Sequence, residues 1–198
     1  MNYEQALEKF IAESDGTILT KDVEDLGIPR QYLNQFQKEG KLEHVSHGIY
    51  ITARTKLDQL YYIQLRSKQI IFSGKTALVL HHLVDTIPDK IYVTVPQTYA
   101  TNRLRESGLG VMTVKPELHE LGKIEYLTKY NHLIQIYDKE RTICDIVKAR
   151  NKLEKDYVYS VLKAYTKEKE KDYHKLMNYA KKLRIRSVLS QYLEILMA

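Results

Sequence analysis

The sequence is poor in the residues that build disulfide scaffolds and paired-cysteine metal centres. Its 198 residues include one cysteine, Cys144, three phenylalanines and no tryptophan. A single cysteine excludes an intrachain disulfide and every zinc site that needs paired cysteines. No apolar run approaches the roughly 18 residues that span a bilayer, and residues 1–8 carry acids where a signal peptide would carry basic residues. We therefore expect a cytoplasmic protein with no membrane segment.

Charge is unevenly distributed along the chain. Residues 1–54 contain 6 basic and 9 acidic residues, for a net charge of −3, whereas residues 148–186 contain 13 basic and 5 acidic residues, for a net charge of +8. A concentrated positive surface predicts a polyanionic partner, either nucleic acid or an acidic protein. The alternative is a lysine-rich helix face that is simply solvated.

Turn and periodicity signals in residues 1–54 predict a winged helix-turn-helix domain. Apolar residues at helical spacing indicate a first helix, a short second helix stops at Gly27, and a third begins at Pro29 and is closed by Gly40. Residues 42–51 then have the pattern of a β-hairpin. Three helices followed by a hairpin are typical of the winged helix plan.

The third helix has two distinct faces. At about 100° per residue, Tyr32, Leu33 and Phe36 cluster on one side. The opposite arc carries side chains that can contact base edges or grip phosphates in a major groove: Arg30, Gln31, Asn34, Gln35 and Lys38. Any surface helix is polar outside, but Glu39 is the only acid between Pro29 and Gly40. We therefore predict that this arc binds DNA.

The tip of the hairpin is a second candidate contact. Ser46 and His47 precede Gly48, a residue that can adopt the positive φ of a tight turn. The tip is interpreted either as a wing that reaches phosphates or the minor groove, or as an ordinary turn in which His47 has no role.

From residue 55 the sequence pattern changes to alternating helix and strand signals, and residues 55–198 are predicted to form a second domain. Strand patterns at residues 69–72, 91–95, 109–114 and 132–137 alternate with helical ones, and the chain from Glu140 to Leu196 is almost wholly helical. The expected fold class is α+β, a winged helix-turn-helix domain followed by a mixed α/β domain with a helical C-terminal end.

The lysines of the helical end are spaced three or four residues apart. Lys148, Lys152 and Lys155 form one such set, and Lys163, Lys167, Lys171 and Lys175 form another. Each set is predicted to line one helix face. Such ridges would supply the phosphate affinity that an acidic N-terminal domain lacks. The candidate DNA contacts are Lys148, Lys152, Lys163, Lys167 and Lys171.

No catalytic, cofactor or metal site is predicted. The stretch Ser73-Gly74-Lys75-Thr76 lacks a phosphate loop's first glycine, since Gln69 stands there, and Ser73 or Thr76 is expected to cap a helix instead. His81 and His82 are adjacent, about 100° apart on a helix, and cannot face one metal. Cys144 lies among apolar residues, which favours a buried core position over a nucleophile. We expect that the protein is not an enzyme.

Four segments in order resemble the AbiEi antitoxin family over nearly the whole chain. They are Gly-Ile-Tyr at 48–50, Ser-Gly-Lys-Thr-Ala-Leu with a following His-His-Leu at 73–83, Ile-Tyr-Val-Thr-Val-Pro at 91–96, and Glu-Arg-Thr-Ile-Cys-Asp at 140–145. The resemblance implies that residues 29–38 are the DNA-reading helix and residues 43–50 the wing. For residues 140–145 a structural role is expected, in which Arg141 with Glu140 or Asp145 fixes a helix start.

The resemblance also implies a function. Members of this family are transcriptional autoregulators of type IV toxin–antitoxin systems of the abortive-infection kind. The N-terminal domain would bind inverted repeats upstream of its own operon, and residues 55–198 would supply the antitoxin activity. The cognate toxin would be a nucleotidyltransferase encoded by the neighbouring gene. The antitoxin would counter its effect without forming a stable complex with it, and the implied physiological role is phage resistance. We expect a monomer in solution that binds DNA as more than one copy.

A protein-interaction module is the main alternative. In that interpretation the basic C-terminal helices bind an acidic partner, and the protein shows no sequence preference on DNA.

Overall fold

The computed structural model describes residues 2–197 and consists of two compact units, of which the first ends at Leu65 and the second begins at Arg66. Within the described residues the chain forms eleven α-helices and two β-sheets. The predicted mixed α+β class is confirmed.

The N-terminal unit combines helices with a three-stranded sheet. Its elements are α1 (Tyr3–Glu13), β1 (Thr17–Leu19), α2 (Thr20–Asp25), α3 (Gln31–Lys38), β2 (Leu42–Ser46), β3 (Ile49–Thr52) and α4 (Gln59–Leu65). The sheet is antiparallel with the order β1-β3-β2. The three predicted helices and the hairpin are confirmed. Strand β1 was not predicted, because its apolar run, Ile18 and Leu19, is only two residues long.

Local signals set the ends of these helices. The Asn2 side chain accepts hydrogen bonds from the backbone N–H groups of Glu4 and Gln5 at 3.1 and 3.4 Å, which caps α1. Gly27 and Gly40 adopt positive φ angles of 73° and 71° directly after α2 and α3. Residues with a Cβ rarely adopt this conformation, so these glycines end the two helices as predicted.

The first core lies between the three helices and the sheet. Leu7, Ile18, Val23 and Leu33 are each fully buried there. A second small cluster forms on β3, where Ile49 and Ile51 pack with Tyr62 of α4. Helix α4 is therefore part of the N-terminal unit.

The C-terminal unit builds a five-stranded sheet and a helical layer. Its elements are β4 (Ile71–Phe72), α5 (Gly74–Leu80), β5 (Tyr92–Pro96), α6 (Asn102–Glu106), β6 (Gly110–Val114), α7 (Pro116–His119), β7 (Lys123–Leu127), β8 (Leu133–Tyr137), α8 (Lys139–Lys148), a 3₁₀ turn (Arg150–Lys152), α9 (Lys155–Lys167), α10 (Tyr173–Lys182) and α11 (Arg186–Met197). The predicted helical end is confirmed.

The sheet contains both parallel and antiparallel strand pairs, and strands β4 and β8, which are neighbours in it, are distant in sequence. The strand order is β6-β5-β4-β8-β7, with parallel pairing in β5/β6 and β4/β8 and antiparallel pairing in β4/β5 and β7/β8. The four predicted strands are confirmed. Edge strand β7 was not predicted, because most of its side chains are exposed or half-buried and it lacks the apolar signal of a central strand.

Helix α8 is the centre of the helical layer. It contacts α5, α9 and α10, and Ile143, Cys144 and Val147 on it are fully buried. Cys144 lies in this core, as expected, and burial raises the pKa of its thiol to about 12. The thiol therefore stays protonated at neutral pH, which fits a packing role.

The two hydroxyls expected to cap α5 do not do so. Neither Ser73 nor Thr76 caps a free N–H of the helix: the Ser73 Oγ accepts a bond from Thr94 at 2.8 Å, and the Thr76 Oγ1 accepts one from the Tyr92 N–H at 2.7 Å. The capping prediction is wrong, because β5 runs alongside the helix start and its polar groups take both hydroxyls.

Candidate nucleic-acid interface

Helix α3 separates its two faces as its periodicity predicts. Leu33 and Phe36 are 0% and 1% exposed and lie in the core of the N-terminal unit. Among the candidate side chains, Gln31, Asn34 and Lys38 lie on the opposite face, and all three are exposed. The exposed face thus presents two amides and one cation.

Arg30 lies one residue earlier than the helix itself. It occupies the N-cap position of α3 with φ −54° and ψ −25°, and its side chain is exposed. The guanidinium is therefore displayed at the amino end of α3, which is the end that enters a major groove in helix-turn-helix proteins.

Gln35 is held within the protein. Its side-chain nitrogen donates to Glu4 Oε1 at 2.8 Å and to Glu39 Oε1 at 2.9 Å. Lys41 in turn lies 3.0 Å from Glu8 and 3.1 Å from Glu39. Gln35 would have to give up both hydrogen bonds before its amide could pair with a base. Its observed role is to join α1 to α3.

The hairpin tip contains an exposed histidine. Strands β2 and β3 pair antiparallel, with a β-bulge between His44 and Ser46. The turn is closed by Gly48 at φ 73°, as predicted, and the Gly48 carbonyl accepts a bond from the Thr20 N–H at 2.9 Å. His47 is exposed and Ser46 is half-buried. The tip is therefore positioned on α2 and displays His47.

The C-terminal lysines do not form the predicted ridges along single helices. Lys148 ends α8 and Lys152 lies in the 3₁₀ turn. Lys163 and Lys167 share α9, but Lys171 lies in the connection between α9 and α10. The prediction that each set lies on one continuous helix is wrong, because α8 ends at Lys148 and α9 ends at Lys167.

Two lysines of the second set are engaged inside the unit. Lys171 donates to the Glu168 carbonyl at 2.8 Å. Lys175 pairs with Asp138 at 2.9 Å and with Glu140 at 3.2 Å. Burial alone would lower the pKa of Lys175, but the two carboxylates more than offset it and hold that pKa above its usual value. Among the C-terminal lysines predicted to contact DNA, four have exposed side chains: Lys148, Lys152, Lys163 and Lys167.

The fold creates one cluster of cations that the sequence did not predict. Lys148 shares a surface cleft with Lys115, Lys182 and Arg184. Lys115 follows β6, Lys182 ends α10, and Arg184 lies just beyond it. Lys182 and Arg184 belong to the basic stretch visible in the sequence. Nothing in the sequence signals that Lys115 joins them.

The match to a known family falls on the N-terminal segment. Residues 5–53 match the sequence model of the family described as transcriptional regulator, AbiEi antitoxin. The resemblance to AbiEi antitoxins is confirmed. The match spans α1 to β3 and supports a role as a toxin–antitoxin regulator. The three motifs beyond residue 53 lie outside it. No curated protein sequence matches the chain.

A solved structure resembles this chain over most of its length. The crystal structure of the RV2827C protein from Mycobacterium tuberculosis is similar, with a TM-score of 0.62 and 12% sequence identity. The similarity covers 91% of this chain and 72% of that one. At this identity the likeness concerns the fold alone.

The motif at residues 140–145 has the structural role expected for it. Arg141 is fully buried, and its Nε lies 3.1 Å from both carboxylate oxygens of Asp145. Its Nη1 donates to the carbonyls of Leu118 and Leu121, each at 2.7 Å. The guanidinium also lies 4.2 Å from the ring centre of Tyr137. Arg141 thus ties α8 to α7, to the segment after α7 and to β8.

The neighbouring carboxylates complete this network. Asp138 caps α8 by accepting the Arg141 backbone N–H at 2.7 Å. Glu140 accepts hydrogen bonds from the Tyr165 hydroxyl at 3.0 Å and from the Asp172 N–H at 3.2 Å. Asp145 pairs with Arg141, and Asp138 and Glu140 pair with Lys175, as the low dielectric of a core requires. Among the described residues, the Arg141 Nη2 has no hydrogen-bond partner.

Two histidines of the C-terminal unit each lie against a backbone carbonyl. His81 is half-buried, with Nε2 2.7 Å from the Tyr137 carbonyl, and His119 is buried with Nε2 3.0 Å from the Gln69 carbonyl. Burial lowers the pKa of His81. Within residues 2–197 no three His, Cys, Asp or Glu side chains cluster as metal ligands. In the same part of the chain, no helix is both long and apolar enough to cross a bilayer.

Proposed function

We propose that the protein is a type IV antitoxin and transcriptional autorepressor. Its N-terminal unit acts as a winged helix-turn-helix that binds inverted repeats in the promoter of its own operon, with α3 as the reading helix. The observation that carries the proposal is the family match over residues 5–53 together with the exposed polar face of α3 inside that segment.

The exposed side chains of α3 have the chemistry of base recognition. An arginine pairs with guanine through two donors, and asparagine or glutamine pairs with adenine through a donor and an acceptor. Arg30, Gln31 and Asn34 supply these groups, and Lys38 supplies a phosphate contact. Gln35 joins them after release from Glu4 and Glu39.

The hairpin acts as the wing. His47 is exposed at its tip, and Ser46 precedes it with a hydroxyl that can donate to a phosphate. Because the Gly48 carbonyl is bonded to the first residue of α2, the tip is held in place before DNA arrives.

Phosphate affinity comes mainly from the C-terminal unit. Residues 1–65 carry 7 basic and 10 acidic residues, whereas residues 66–198 carry 24 basic and 15 acidic residues. An acidic unit is repelled by a polyanion, so the cations beyond residue 65 must offset this repulsion. Lys148, Lys152, Lys163 and Lys167 are the exposed cations that we assign to DNA, and Lys171 is a secondary contact.

The antitoxin activity belongs to the C-terminal unit. The protein counters a nucleotidyltransferase toxin in the cytoplasm without forming a stable complex with it, and contributes in this way to abortive infection and phage defence. It is a monomer in solution and binds its operator as more than one copy. It requires no cofactor and is not an enzyme.

A gel-shift titration tests the DNA-binding part of the proposal. Full-length protein is titrated onto its own upstream DNA and onto a scrambled duplex of equal length at physiological salt. We expect a preference of about a thousandfold or more for the upstream DNA. Arg30→Ala should weaken specific binding by about 1–3 kcal/mol, the contribution of one bidentate base contact.

Lys9→Ala is the matched control. Lys9 is an exposed cation on α1, in the same unit, and its nearest acid is Glu13 at 3.9 Å. This variant should bind as tightly as the wild type. Equal binding to both duplexes by the wild-type protein would overturn the repressor assignment and favour a protein-interaction module.

Co-expression with the neighbouring toxin separates the two activities. Arg30→Ala should abolish repression yet still protect cells from the toxin, because the antitoxin activity is assigned beyond residue 65. Loss of protection by a folded Arg30→Ala protein would show that neutralisation depends on DNA binding.

A further inference from the structure

The C-terminal unit contains a cleft whose rim is strongly basic. The cleft has a volume of about 550 Å³ and lies between the ends of β6, α8 and α10. Four cationic side chains line it: Lys115, Lys148, Lys182 and Arg184. A volume of this size falls in the range of about 300–1,000 Å³ that small-molecule sites occupy.

Charge in the cleft is largely uncompensated. Glu117 is the one carboxylate among the lining residues, and it pairs with Lys115 at 3.9 Å. Lys148, Lys182 and Arg184 form no ion pair with any residue in the described part of the chain. The carboxyl ends of α8 and α10 each contribute about half a negative charge. The cleft therefore keeps a net charge of about +2 and attracts anions.

Arg184 adopts a backbone conformation that favours glycine. Its φ is +58°, and it follows α10 with its N–H donating to the Lys181 carbonyl at 3.1 Å while the Ile185 N–H donates to the Ala180 carbonyl at 2.9 Å. At the same position after α2 and α3 the chain has Gly27 and Gly40, and after α5 it has His82, whose φ is +56°. An arginine in this place is strained, and strained residues tend to persist where their side chain has a function.

The remaining lining residues suit the other end of an amphipathic ligand. Leu118, Val114 and Leu183 supply apolar surface, and Gln97 and Thr113 supply an amide and a hydroxyl. Apolar walls beside convergent cations differ from a simple phosphate-backbone contact, which needs only exposed positive charge.

We propose that this cleft binds a phosphorylated small molecule of about nucleotide size, with Lys148, Lys182 and Arg184 holding the phosphate and the Leu118 side holding the rest of the ligand. The cleft belongs to the C-terminal unit and shares no residue with α3, although Lys148 is also one of the lysines that we assign to DNA.

Calorimetric titration of the full-length protein tests the proposal. ADP is the probe, with adenosine as the same molecule without phosphate, and with a single-stranded oligonucleotide as the other source of phosphate. We expect saturable binding of one ADP per chain at physiological salt. Adenosine should bind at least about tenfold more weakly, because it cannot form the charge-assisted hydrogen bonds of the phosphates.

Arg184→Gly is the decisive variant. Glycine is favoured at this φ, so the change should leave the thermal midpoint equal or higher while weakening ADP binding by about tenfold or more. Lys182→Gln should weaken binding to a similar degree. Lys181→Gln is the matched control, since Lys181 is exposed and adjacent to Lys182 but does not line the cleft.

Three results would overturn the proposal. The first is that ADP does not bind saturably, and the second is that Lys181→Gln and Lys182→Gln weaken ADP binding equally. The third is that the oligonucleotide binds, ADP does not, and Arg184→Gly abolishes the oligonucleotide binding. The last result would assign the cleft to a nucleic-acid strand. None of them bears on the gel shift with Arg30→Ala, so the two proposals can fail independently.

Discussion

The two units of the protein differ in how far apart in sequence their neighbouring elements are. In the N-terminal unit the whole sheet is formed by residues 17–52. In the C-terminal unit β4 and β8 are neighbours, and Phe72 lies opposite Ile136. The surface that we assign to base recognition is thus one helix face. The basic cleft, by contrast, is assembled from four separate segments.

Their interiors differ as well. The core of the N-terminal unit is formed by apolar side chains, with Leu7, Ile18 and Leu33 fully buried. The C-terminal unit also buries a charged network around Arg141 and Glu140, which are 0% and 4% exposed. The N-terminal unit also buries the Asp58 carboxylate, which is 3% exposed, whereas the C-terminal unit buries a network of paired charges.

Breaking the buried pair should have the largest effect. Arg141→Met leaves the Asp145 carboxylate without its partner in the core, and removing one partner of a buried pair costs about 3–5 kcal/mol. Urea denaturation measures the loss of unfolding free energy, and hydrogen exchange of the α8 amides shows whether the loss is located in this helix. Arg103→Met, an exposed arginine on α6, should stay within about 0.5 kcal/mol of the wild type. A destabilisation below about 1 kcal/mol for Arg141→Met would show that the network is dispensable.

A cavity in the apolar core should sharpen the contrast between the units. Leu33→Ala removes a fully buried side chain and should destabilise the N-terminal unit by about 2–5 kcal/mol. Hydrogen exchange should accelerate in α1 to α3 and stay unchanged in α8. Leu162→Ala, a fully buried leucine of α9, should give the opposite pattern. If either change accelerated exchange equally in both units, the chain would unfold as a single cooperative body.

Removing exposed C-terminal cations tests the division of labour on DNA. Lys152, Lys163 and Lys167 are replaced together by glutamine, and operator binding is measured over a series of salt concentrations. The slope of log affinity against log salt should become shallower by about 0.9 for each phosphate that is no longer neutralised. The preference for operator over scrambled duplex should remain.

A charge-matched control exists in the same unit. Lys68, Lys90 and Lys129 are exposed lysines outside residues 148–186, and replacing all three by glutamine changes the net charge by the same amount. An equal change of slope in the two triple variants would mean that overall charge, and not a defined surface, drives the affinity.

The smallest expected effect concerns pH. Burial lowers the pKa of His81. Between this lowered pKa and the pKa of the unfolded chain, the folded protein keeps the ring neutral while the unfolded chain binds a proton. The contribution to stability is therefore complete above the unfolded value of about 6.5 and declines as the pH falls from there toward the lowered pKa. His81→Gln keeps a donor for the Tyr137 carbonyl and removes the titration.

Thermal midpoints at about pH 7.5 and about pH 5.5, on either side of the unfolded pKa, measure this effect. The wild type should be destabilised more over this interval than His81→Gln, whereas His174→Gln, on the exposed side of α10, should behave as the wild type. An identical pH dependence for His81→Gln and the wild type would contradict the assignment.

Local signals in the sequence predicted much of the N-terminal unit. Gly27 and Gly40 mark helix ends because glycine alone adopts positive φ without strain. The spacing of Leu33 and Phe36 identifies the buried face of α3, and therefore the exposed one. The bonds that hold Gln35 to Glu4 could not be predicted, because they depend on where α1 packs.

The sequence by itself determined the α+β class, the helical C-terminal end, the burial of Cys144 and the face that α3 exposes, since each follows from the periodicity or turn chemistry of neighbouring residues. Tertiary structure alone decided which charges meet. It separated Lys171 and Lys175 from the lysines of α9, bonded Arg141 of α8 to α7 and to the segment after it, and brought Lys115 into one cleft with Arg184. The physical reason is that charge and hydrogen bonding act through space, whereas a sequence pattern reports only what is near along the chain.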